Sequence, residues 1–273
     1  MTDIPKIKLN SGALIPQIGL GLWKLTDEQQ FNEAFTAAIN AGYRHFDTAQ
    51  AYHNEQLLGA AIKNCSIKRE ELFITTKIAV QNFGDKKSRH SFDESLKKLG
   101  TDYVDLLLLH FPVPLLRKKT WKIAETIKQQ SLARSIGVSN FTINHLNQLQ
   151  QYCEQLPSVN QVEMHIFLQQ HELKEYCDQK GIVIEAYSPL AHAKDMDNDT
   201  ILQLATKYHK SYAQVMLSWA QQQGVVIIPK SASPNRIAEN IDIFDFKLNS
   251  NDLRLLSQQN RNLRTCWNPE LVP

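Results

Sequence analysis

The sequence has few cysteines, few glycines and no excess of charge of either sign. Its 273 residues include 4 cysteines, 10 glycines and 10 prolines, and the formal net charge is +2. The cysteines have no Cys-x-x-Cys spacing and no neighbouring histidines, which argues against a disulfide scaffold and a metal site. Balanced, interspersed charges argue against a nucleic acid or an anionic membrane as the main partner. We therefore expect a small molecule or another protein as the partner, reduced thiols and no metal.

Long hydrophobic runs are also absent. The longest apolar stretches, 106–109 and 225–229, are far shorter than a membrane span. Residues 1–6 lack the apolar core of a signal peptide. A cytoplasmic protein that does not bind membranes is the expectation. Hydrophobic residues make up 42% of the chain, which is enough for a sizeable core, although the length alone leaves one or two domains open.

Short apolar runs alternate along the chain with segments of helical periodicity, a pattern typical of βα units. Gly, Pro or Asx residues mark the joins. The candidate strands are 15–23, 44–48, 72–77, 104–110, 135–139, 159–164, 182–187 and 225–229.

The first helix has the clearest pattern. Apolar residues at the i, i+3, i+4, i+7 and i+8 spacing of one helical face are Phe31, Ala34, Phe35, Ala38 and Ile39. Thr26 with Gln29 predicts a capping box at its start, and Gly42 predicts its end. Similar apolar faces precede Gly100 and Gly181, so several helices need a sheet to cover.

Eight strands, each followed by a helix, favour a closed α/β barrel of the (β/α)8 TIM type over an open doubly wound sheet. The open sheet would carry Gly-x-Gly-x-x-Gly after its first strand, and segment 19–23 stops short of that motif. The barrel uses the whole chain, so we expect residues 1–273 to form a single domain. Residues 7–15 predict an amino-terminal β-hairpin about a Ser-Gly turn, positioned to close one end.

Active sites of such barrels lie at the carboxyl ends of the strands, where four polar side chains stand out. They are Asp47, Tyr52, Lys77 and His110. Singly, each has an ordinary structural explanation, such as a helix cap, a solvated lysine or a core histidine. Together they suit one reaction, because an ammonium group lowers the pKa of a nearby phenol, a carboxylate orients the ammonium, and an imidazole can hold a substrate oxygen. We predict a proton donor beside a carbonyl site.

A second candidate site follows the last strand, in segment 230–240. Ser233 suits a helix N-cap and Pro234 the first helical position, so backbone amides and the positive end of a helix dipole would face the barrel rim. Lys230 and Arg236 flank this helix start. The segment predicts an anion site, with a solvated basic loop as the alternative.

Residues 42–55, Gly-Tyr-Arg-His-Phe-Asp-Thr-Ala-Gln-Ala-Tyr-His-Asn-Glu, resemble the aldo-keto reductase motif Gly-x-Arg-x-x-Asp-Thr-Ala-x-x-Tyr-x-Asn-Glu. The resemblance continues through 137–141, 160–163, 187–190 and 228–240, and the short loops and tail resemble the microbial branch that includes 2,5-diketo-gluconate reductases. It implies NADPH-dependent reduction of an aldehyde or ketone to an alcohol. In that reaction Tyr52 would be the acid, Lys77 and Asp47 would tune it, and His110 would orient the carbonyl.

The resemblance also implies a set of cofactor contacts. On the nicotinamide side they are Ser139, Asn140, Gln161 and Tyr187, with Tyr187 stacked on the ring, and Ser188 and Leu190 are further cofactor contacts. On the adenosine side they are Lys230, Ser231, Arg236, Glu239 and Asn240. The first three of these would hold the 2′-phosphate, so NADPH is expected over NADH. Ser139 and Asn140 have an alternative role as caps of the helix that follows.

Substrate contacts are expected at Trp23, Tyr52, His110 and Phe111. The family very often has Trp where this chain has Phe111, so the pocket wall there is smaller. The short tail, 261–273, suggests an open pocket that admits small polar dicarbonyls. His45 is interpreted as a packed core histidine.

Two other functions remain open at this stage. One is a nicotinamide-binding regulatory subunit with little turnover, and the other is a lyase in which Lys77 forms a Schiff base. The resemblance implies a monomer.

Overall fold

An antiparallel hairpin precedes the main sheet. In the computed structural model, which describes residues 4–195 and 197–273, strands β1 (Lys6–Lys8) and β2 (Leu14–Pro16) pair around a turn that contains Gly12. The prediction for segment 1–6 therefore falls partly outside the described residues. Leu9 and Ile15 of the hairpin pack with barrel-strand residues Phe73, Leu106, Leu108, Val159 and Val226. The predicted hairpin is confirmed, and it covers the apolar end of the barrel.

Eight parallel strands follow the hairpin. They are β3 (Leu20–Gly21), β4 (His45–Asp47), β5 (Phe73–Ile78), β6 (Val104–Leu109), β7 (Ala133–Ser139), β8 (Val159–Glu163), β9 (Val183–Tyr187) and β10 (Val226–Ile228). Each pairs with the next in chain order. Bridges from Ile18 to Ile227 and from Gly21 to Lys230 join the first strand to the last. The predicted (β/α)8 barrel is confirmed.

The weakest predicted strand, 15–23, is divided in the structure. Its first residues belong to β2 and pair with β1, whereas Ile18 and Gly21 pair with the last barrel strand. Gly19 lies at the change of partner, where an added Cβ would be 2.5 Å from the Nδ1 atom of His45. A glycine there lets the backbone approach the histidine in the barrel interior.

Among the described residues, ten α-helices accompany the strands. They are α1 (Glu28–Ala41), α2 (Glu55–Asn64), α3 (Asp85–Leu99), α4 (Arg117–Gln129), α5 (Ile143–Gln150), α6 (His171–Gln179), α7 (Asp199–Tyr208), α8 (Tyr212–Gln222), α9 (Pro234–Ile241) and α10 (Ser250–Ser257). None of the helices in this part of the chain has the length and apolar character that crossing a membrane requires.

Helix α1 shows which local predictions hold. Gly42 has φ 103° and its backbone N–H donates to carbonyl groups of the last helical turn, so the predicted end is confirmed. The predicted capping box at Thr26 and Gln29 is wrong. The cap is Asp27, whose Oδ1 accepts from the Gln30 N–H at 2.8 Å. Thr26 and Asp27 are both good caps by residue type, and Asp27 is the one that occupies the N-cap position.

Candidate active site

The four predicted catalytic side chains meet at the carboxyl end of the barrel. Asp47 ends β4, Lys77 lies near the end of β5, and His110 directly follows β6. Lys77 Nζ donates to Asp47 Oδ1 at 2.5 Å and to the Tyr52 hydroxyl at 3.2 Å. The rings of Tyr52 and His110 stand edge to face with centroids 5.6 Å apart. The phenol and imidazole thus face the same space above the ion pair.

Lys77 and Asp47 form a buried ion pair. Their side chains are 0% and 2% exposed. Burial works against the charged lysine, but the charges of Asp47 and Tyr52 and the hydrogen bond to Asp47 raise the pKa of Lys77 overall. Burial raises the pKa of Asp47, and Lys77 and Gln161 oppose that change. The ammonium group therefore stays protonated beside the phenol.

The direction of the Tyr52 shift differs from the prediction. Burial raises the pKa of Tyr52, and the opposing effect of the Lys77 charge is smaller. Lys77 thus acts in the predicted direction without reversing the desolvation of the phenol. Burial, followed by the Lys77 charge, lowers the pKa of His110 to about 3. In the neutral pH range Tyr52 carries a proton to donate, whereas His110 is a neutral hydrogen-bonding group.

Gln161 connects this group to the barrel interior. Its Nε2 donates to Asp47 Oδ2 and to Glu185 Oε2, both at 2.7 Å. Sequence reasoning missed Glu185, because a carboxylate within a strand gives no signal of what it contacts. His45 is buried as predicted, with Nε2 3.1 Å from Thr75 Oγ1. Burial, with a smaller effect of Lys77, lowers the pKa of His45 to about 3, so this histidine is neutral.

Asn140 links the nicotinamide-side residues. Its Nδ2 donates to the His110 carbonyl at 3.2 Å and to Ser139 Oγ at 3.0 Å, and its Oδ1 accepts from the Tyr187 hydroxyl at 2.8 Å. Its backbone lies in the left-handed region, with φ 65°. The cap of α5 is Thr142, whose Oγ1 accepts from the His145 N–H. The alternative role of Ser139 and Asn140 as helix caps is therefore wrong.

The predicted anion site has the expected backbone but a different cap. Pro234 is the first residue of α9 and Ser233 occupies the N-cap position, yet the Ser233 side chain makes no capping hydrogen bond. Instead Ser231 Oγ accepts from the Ser233 N–H at 3.1 Å. Burial and the charge of Lys24 lower the pKa of Lys230. Sequence reasoning missed Lys24, whose positive charge adds to those of Lys230 and Arg236 near this rim.

One cleft of about 1250 Å³ joins these groups. Every predicted cofactor contact lines it: Ser139, Asn140, Gln161, Tyr187, Ser188, Leu190, Lys230, Ser231, Arg236, Glu239 and Asn240. So does every predicted substrate contact: Trp23, Tyr52, His110 and Phe111. Lys77 is not in the lining, and it reaches the cleft through Asp47 and Tyr52, which are. The cleft therefore runs from the basic rim to the four predicted catalytic residues, Asp47, Tyr52, Lys77 and His110, which we call the tetrad.

The carboxyl-terminal tail forms part of the cleft wall. The buried Glu163 carboxylate accepts from the backbone N–H groups of Thr265 at 2.6 Å and Cys266 at 3.1 Å. The next residue, Trp267, lines the cleft with its ring 6.1 Å from that of Phe111 and nearly perpendicular to it. Trp267 is 77% exposed, so the tail borders the mouth without sealing it. Sequence reasoning missed Trp267, since the contact that positions it joins distant parts of the chain.

Comparison with known proteins gives concordant matches. The model of the Aldo/keto reductase family matches residues 17–261. The glyoxal reductase of Bacillus subtilis (strain 168) is 43% identical over 264 residues, which cover 97% of this chain and 96% of that protein. The methylglyoxal reductase of Escherichia coli (strain K12) is 41% identical over 274 residues, covering 99% and 98%.

Solved structures agree. An aldo-keto reductase of Bombyx mori, crystallised in complex with NADP, superposes with a TM-score of 0.93 at 36% identity, covering 99% of this chain and 97% of that one. An aldo/keto reductase of Brucella melitensis superposes with a TM-score of 0.91 at 42% identity, covering 94% of this chain and 100% of that one. The range that the family model matches contains Asp47, Tyr52, Lys77 and His110.

Proposed function

Because this chain belongs to the aldo/keto reductase family, we propose that its cleft reduces a small carbonyl substrate with Tyr52 as the proton donor. The protein is an NADPH-dependent oxidoreductase that converts aldehyde or ketone groups to alcohols. The observation that carries the assignment of residues is the hydrogen-bonded group of Asp47, Lys77 and Tyr52 beside His110, at one end of the cleft.

The protonation states support a division of roles among the four residues. The chemistry that bound NADPH would supply here is a hydride for the carbonyl carbon. Tyr52 donates the proton that the carbonyl oxygen then needs, because its hydroxyl is protonated and lies beside Lys77. Lys77 stabilises the resulting phenolate, and Asp47 holds Lys77 in place. His110 is neutral, so its part is to orient the carbonyl by hydrogen bonding rather than to supply the proton.

The donor groups along the cleft fit NADPH. Ser139, Asn140 and Gln161 would hold the carboxamide of the nicotinamide, Tyr187 would stack on its ring, and Ser188 and Leu190 would be further cofactor contacts. Lys230, Ser231 and Arg236 suit the 2′-phosphate, because cationic side chains gather at the start of α9. Lys24 adds to this positive potential. Glu239 and Asn240 lie later on α9, also line the cleft, and would contact the adenine.

The substrate is proposed to be a small aldehyde with a second carbonyl beside it. Two relatives are named glyoxal reductase and methylglyoxal reductase, and both names denote acceptors of this kind. In this chain Trp23, Phe111 and Trp267 border the mouth of the cleft around the Tyr52 and His110 groups. A compact polar group can reach the tetrad between these aromatic side chains.

The competing functions have less support. No comparison favours a regulatory subunit. A Schiff-base lyase would need an unprotonated Lys77, whereas this lysine is paired with Asp47 at 2.5 Å. Burial lowers the pKa of Lys77, but the charges of Asp47 and Tyr52 outweigh burial and raise it overall. We further propose that residues 1–273 act as a single cytoplasmic domain and monomer, with no nucleic-acid or membrane partner.

The test is the initial rate of NADPH and NADH oxidation by the purified protein with a panel of aldehydes, diketones and ketoacids. Tyr52→Phe should lower kcat by about 10²- to 10⁴-fold while NADPH still binds. Tyr43→Phe is the matched control, since the Tyr43 hydroxyl is buried outside the cleft and donates to the Ile237 carbonyl at 3.3 Å. Full turnover by Tyr52→Phe would refute the assignment.

A further inference from the structure

A carboxyl group below the tetrad has no role in the mechanism above. Glu185 is 0% exposed and lies in β9, as the register partner of Gln161 in β8. Its Oε2 accepts from Gln161 Nε2, and its Oε1 makes no hydrogen bond to the described residues, with His45 Nε2 at 3.4 Å. A carboxyl group in such a position costs folding free energy, so an apolar residue would suit stability better.

Glu185 is one end of a continuous chain of hydrogen bonds. From Glu185 the chain passes to Gln161 at 2.7 Å, to Asp47 at 2.7 Å, to Lys77 at 2.5 Å and to the Tyr52 hydroxyl at 3.2 Å. Each member is within hydrogen-bonding distance of the next, and all but Tyr52 are buried. A change of charge or position at Glu185 therefore has a path to the proton donor.

The two carboxyl groups also fix which way the Gln161 amide points. An amide NH2 group donates and cannot accept, so a nitrogen placed between two carboxyl oxygens is the stable orientation. The amide oxygen is then directed away from both carboxyl groups. Because Gln161 lines the cleft, its oxygen is left to accept from the NH2 of a nicotinamide carboxamide. Asp47 alone would fix the nitrogen less firmly, since one hydrogen of the NH2 would lack an acceptor.

Charged and titratable groups face Glu185 from the other strands: His45 and Asp47 on β4 and Lys77 on β5, with Tyr52 beyond them. Burial, followed by the charge of Asp47, raises the pKa of Glu185 to about 8. Its charge thus changes near the upper end of the neutral range. When ionised, Glu185 raises the pKa of Tyr52, although burial and the nearer ion pair have larger effects.

On the basis of the proposed reductase function, we propose that Glu185 is a positioning residue with two actions. It holds the Gln161 amide with the amide oxygen toward the nicotinamide. Through Gln161 and Asp47, it also sets the charge that Tyr52 experiences. The first action serves cofactor binding. The second extends the pH range in which Tyr52 remains a proton donor, because a negative charge below the ion pair opposes loss of the phenolic proton.

Two substitutions separate these actions. Glu185→Gln keeps an oxygen acceptor for Gln161 and removes the charge, so the alkaline limb of kcat/KM for reduction should move to lower pH by about half a unit or more. Glu185→Leu removes the acceptor, so NADPH affinity should fall about three- to tenfold, measured by quenching of tryptophan fluorescence. The pH profile uses the panel carbonyl that the wild type reduces fastest.

The matched control is Glu125→Gln. Glu125 is another buried carboxylate, it lies on α4 outside the barrel, and its Oε1 accepts from Trp121 Nε1 at 2.9 Å. This variant should lose thermal stability without changing the pH profile or NADPH affinity. A wild-type alkaline limb in Glu185→Gln, or wild-type NADPH affinity in Glu185→Leu, overturns the proposal.

These results are distinguishable from failure of the proposed function. A protein that oxidises no NADPH with any carbonyl would refute the reductase assignment, and the NADPH affinity of Glu185→Leu would still decide whether Glu185 positions Gln161. If Glu185→Leu does not fold, the pH profile of Glu185→Gln decides, since it preserves the hydrogen bond.

Discussion

Replacing Lys77 by methionine tests the energetics of the tetrad without any knowledge of the substrate. The change keeps an unbranched side chain but removes the ammonium group that pairs with Asp47 inside the barrel. Gln161 Nε2 would remain as a donor to Asp47. Removing one partner of a buried ion pair costs about 3–5 kcal/mol. For a chain of this length, that corresponds to a Tm lower by roughly 6–20 °C at neutral pH.

The loss should depend on pH, because burial already raises the pKa of Asp47 even with Lys77 beside it. Without Lys77, the folded-state pKa of Asp47 rises further above its value in the unfolded chain. Between those two values the folded state binds the proton more tightly, so stability falls as pH rises through this window. The deficit of Lys77→Met relative to wild type should therefore be larger at pH 8.5 than at pH 5.

The assay is thermal unfolding at pH 5, 7 and 8.5 of the wild type, Lys77→Met and the double variant Asp47→Asn/Lys77→Met. The double variant should be more stable than Lys77→Met at pH 7, because it leaves no unpaired charge. Lys97→Met is the control, since Lys97 is 73% exposed and pairs with Glu94 at the surface, and its Tm should stay near that of wild type at every pH. A pH-independent deficit, together with a double variant no more stable than Lys77→Met, would refute the reasoning.

Three further predictions concern ligands. Arg236→Gln should weaken NADPH about 10- to 150-fold and NADH little, because a charge-assisted bond to the 2′-phosphate exists only for NADPH; equal losses of affinity in fluorescence titrations would remove Arg236 from the phosphate site. His110→Gln should lower kcat/KM without changing the shape of the pH profile of kcat/KM between pH 5 and 8. The reason is that burial, followed by the charge of Lys77, lowers the pKa of His110 to about 3, so loss of a limb near pH 6.5 in the variant would contradict the prediction. Trp267→Ala should reduce kcat/KM for aromatic aldehydes more than for methylglyoxal, and an unchanged ratio would show that the tail does not contact substrate.

The sequence predicted the catalytic group because its geometry follows from topology. Parallel strands of a closed barrel bring their carboxyl ends to one rim, so polar residues that end apolar runs meet there. Asp47, Lys77 and His110 are such residues. The periodicity that identified α1 also holds, since Phe31 and Ala34 are fully buried. These predictions depend on short-range patterns and on one general rule of the fold.

What the sequence did not predict depends on contacts between distant segments. Glu163 binds the tail at Thr265, 102 residues away, and no local pattern near Trp267 indicates that it borders the cleft. Glu185 is significant only because the register of β8 and β9 sets it beside Gln161. The direction of the Tyr52 pKa was also misjudged, because burial of the phenol depends on the whole rim and outweighs the Lys77 charge that sequence reasoning could foresee.

The barrel interior is divided between two requirements. Its hairpin end is filled by apolar side chains such as Leu106 and Leu108, which supply hydrophobic stabilisation. Its cleft end holds buried groups that form pairs and hydrogen bonds at the expense of hydration, among them Lys77, Asp47 and Glu185. If the polar end served stability, Asp47→Asn/Lys77→Met would be much less stable than wild type. We expect instead that this variant folds with a Tm close to that of wild type and does not reduce carbonyls. The neutral asparagine and methionine leave no unpaired charge in the interior, but they cannot stabilise the phenolate of Tyr52.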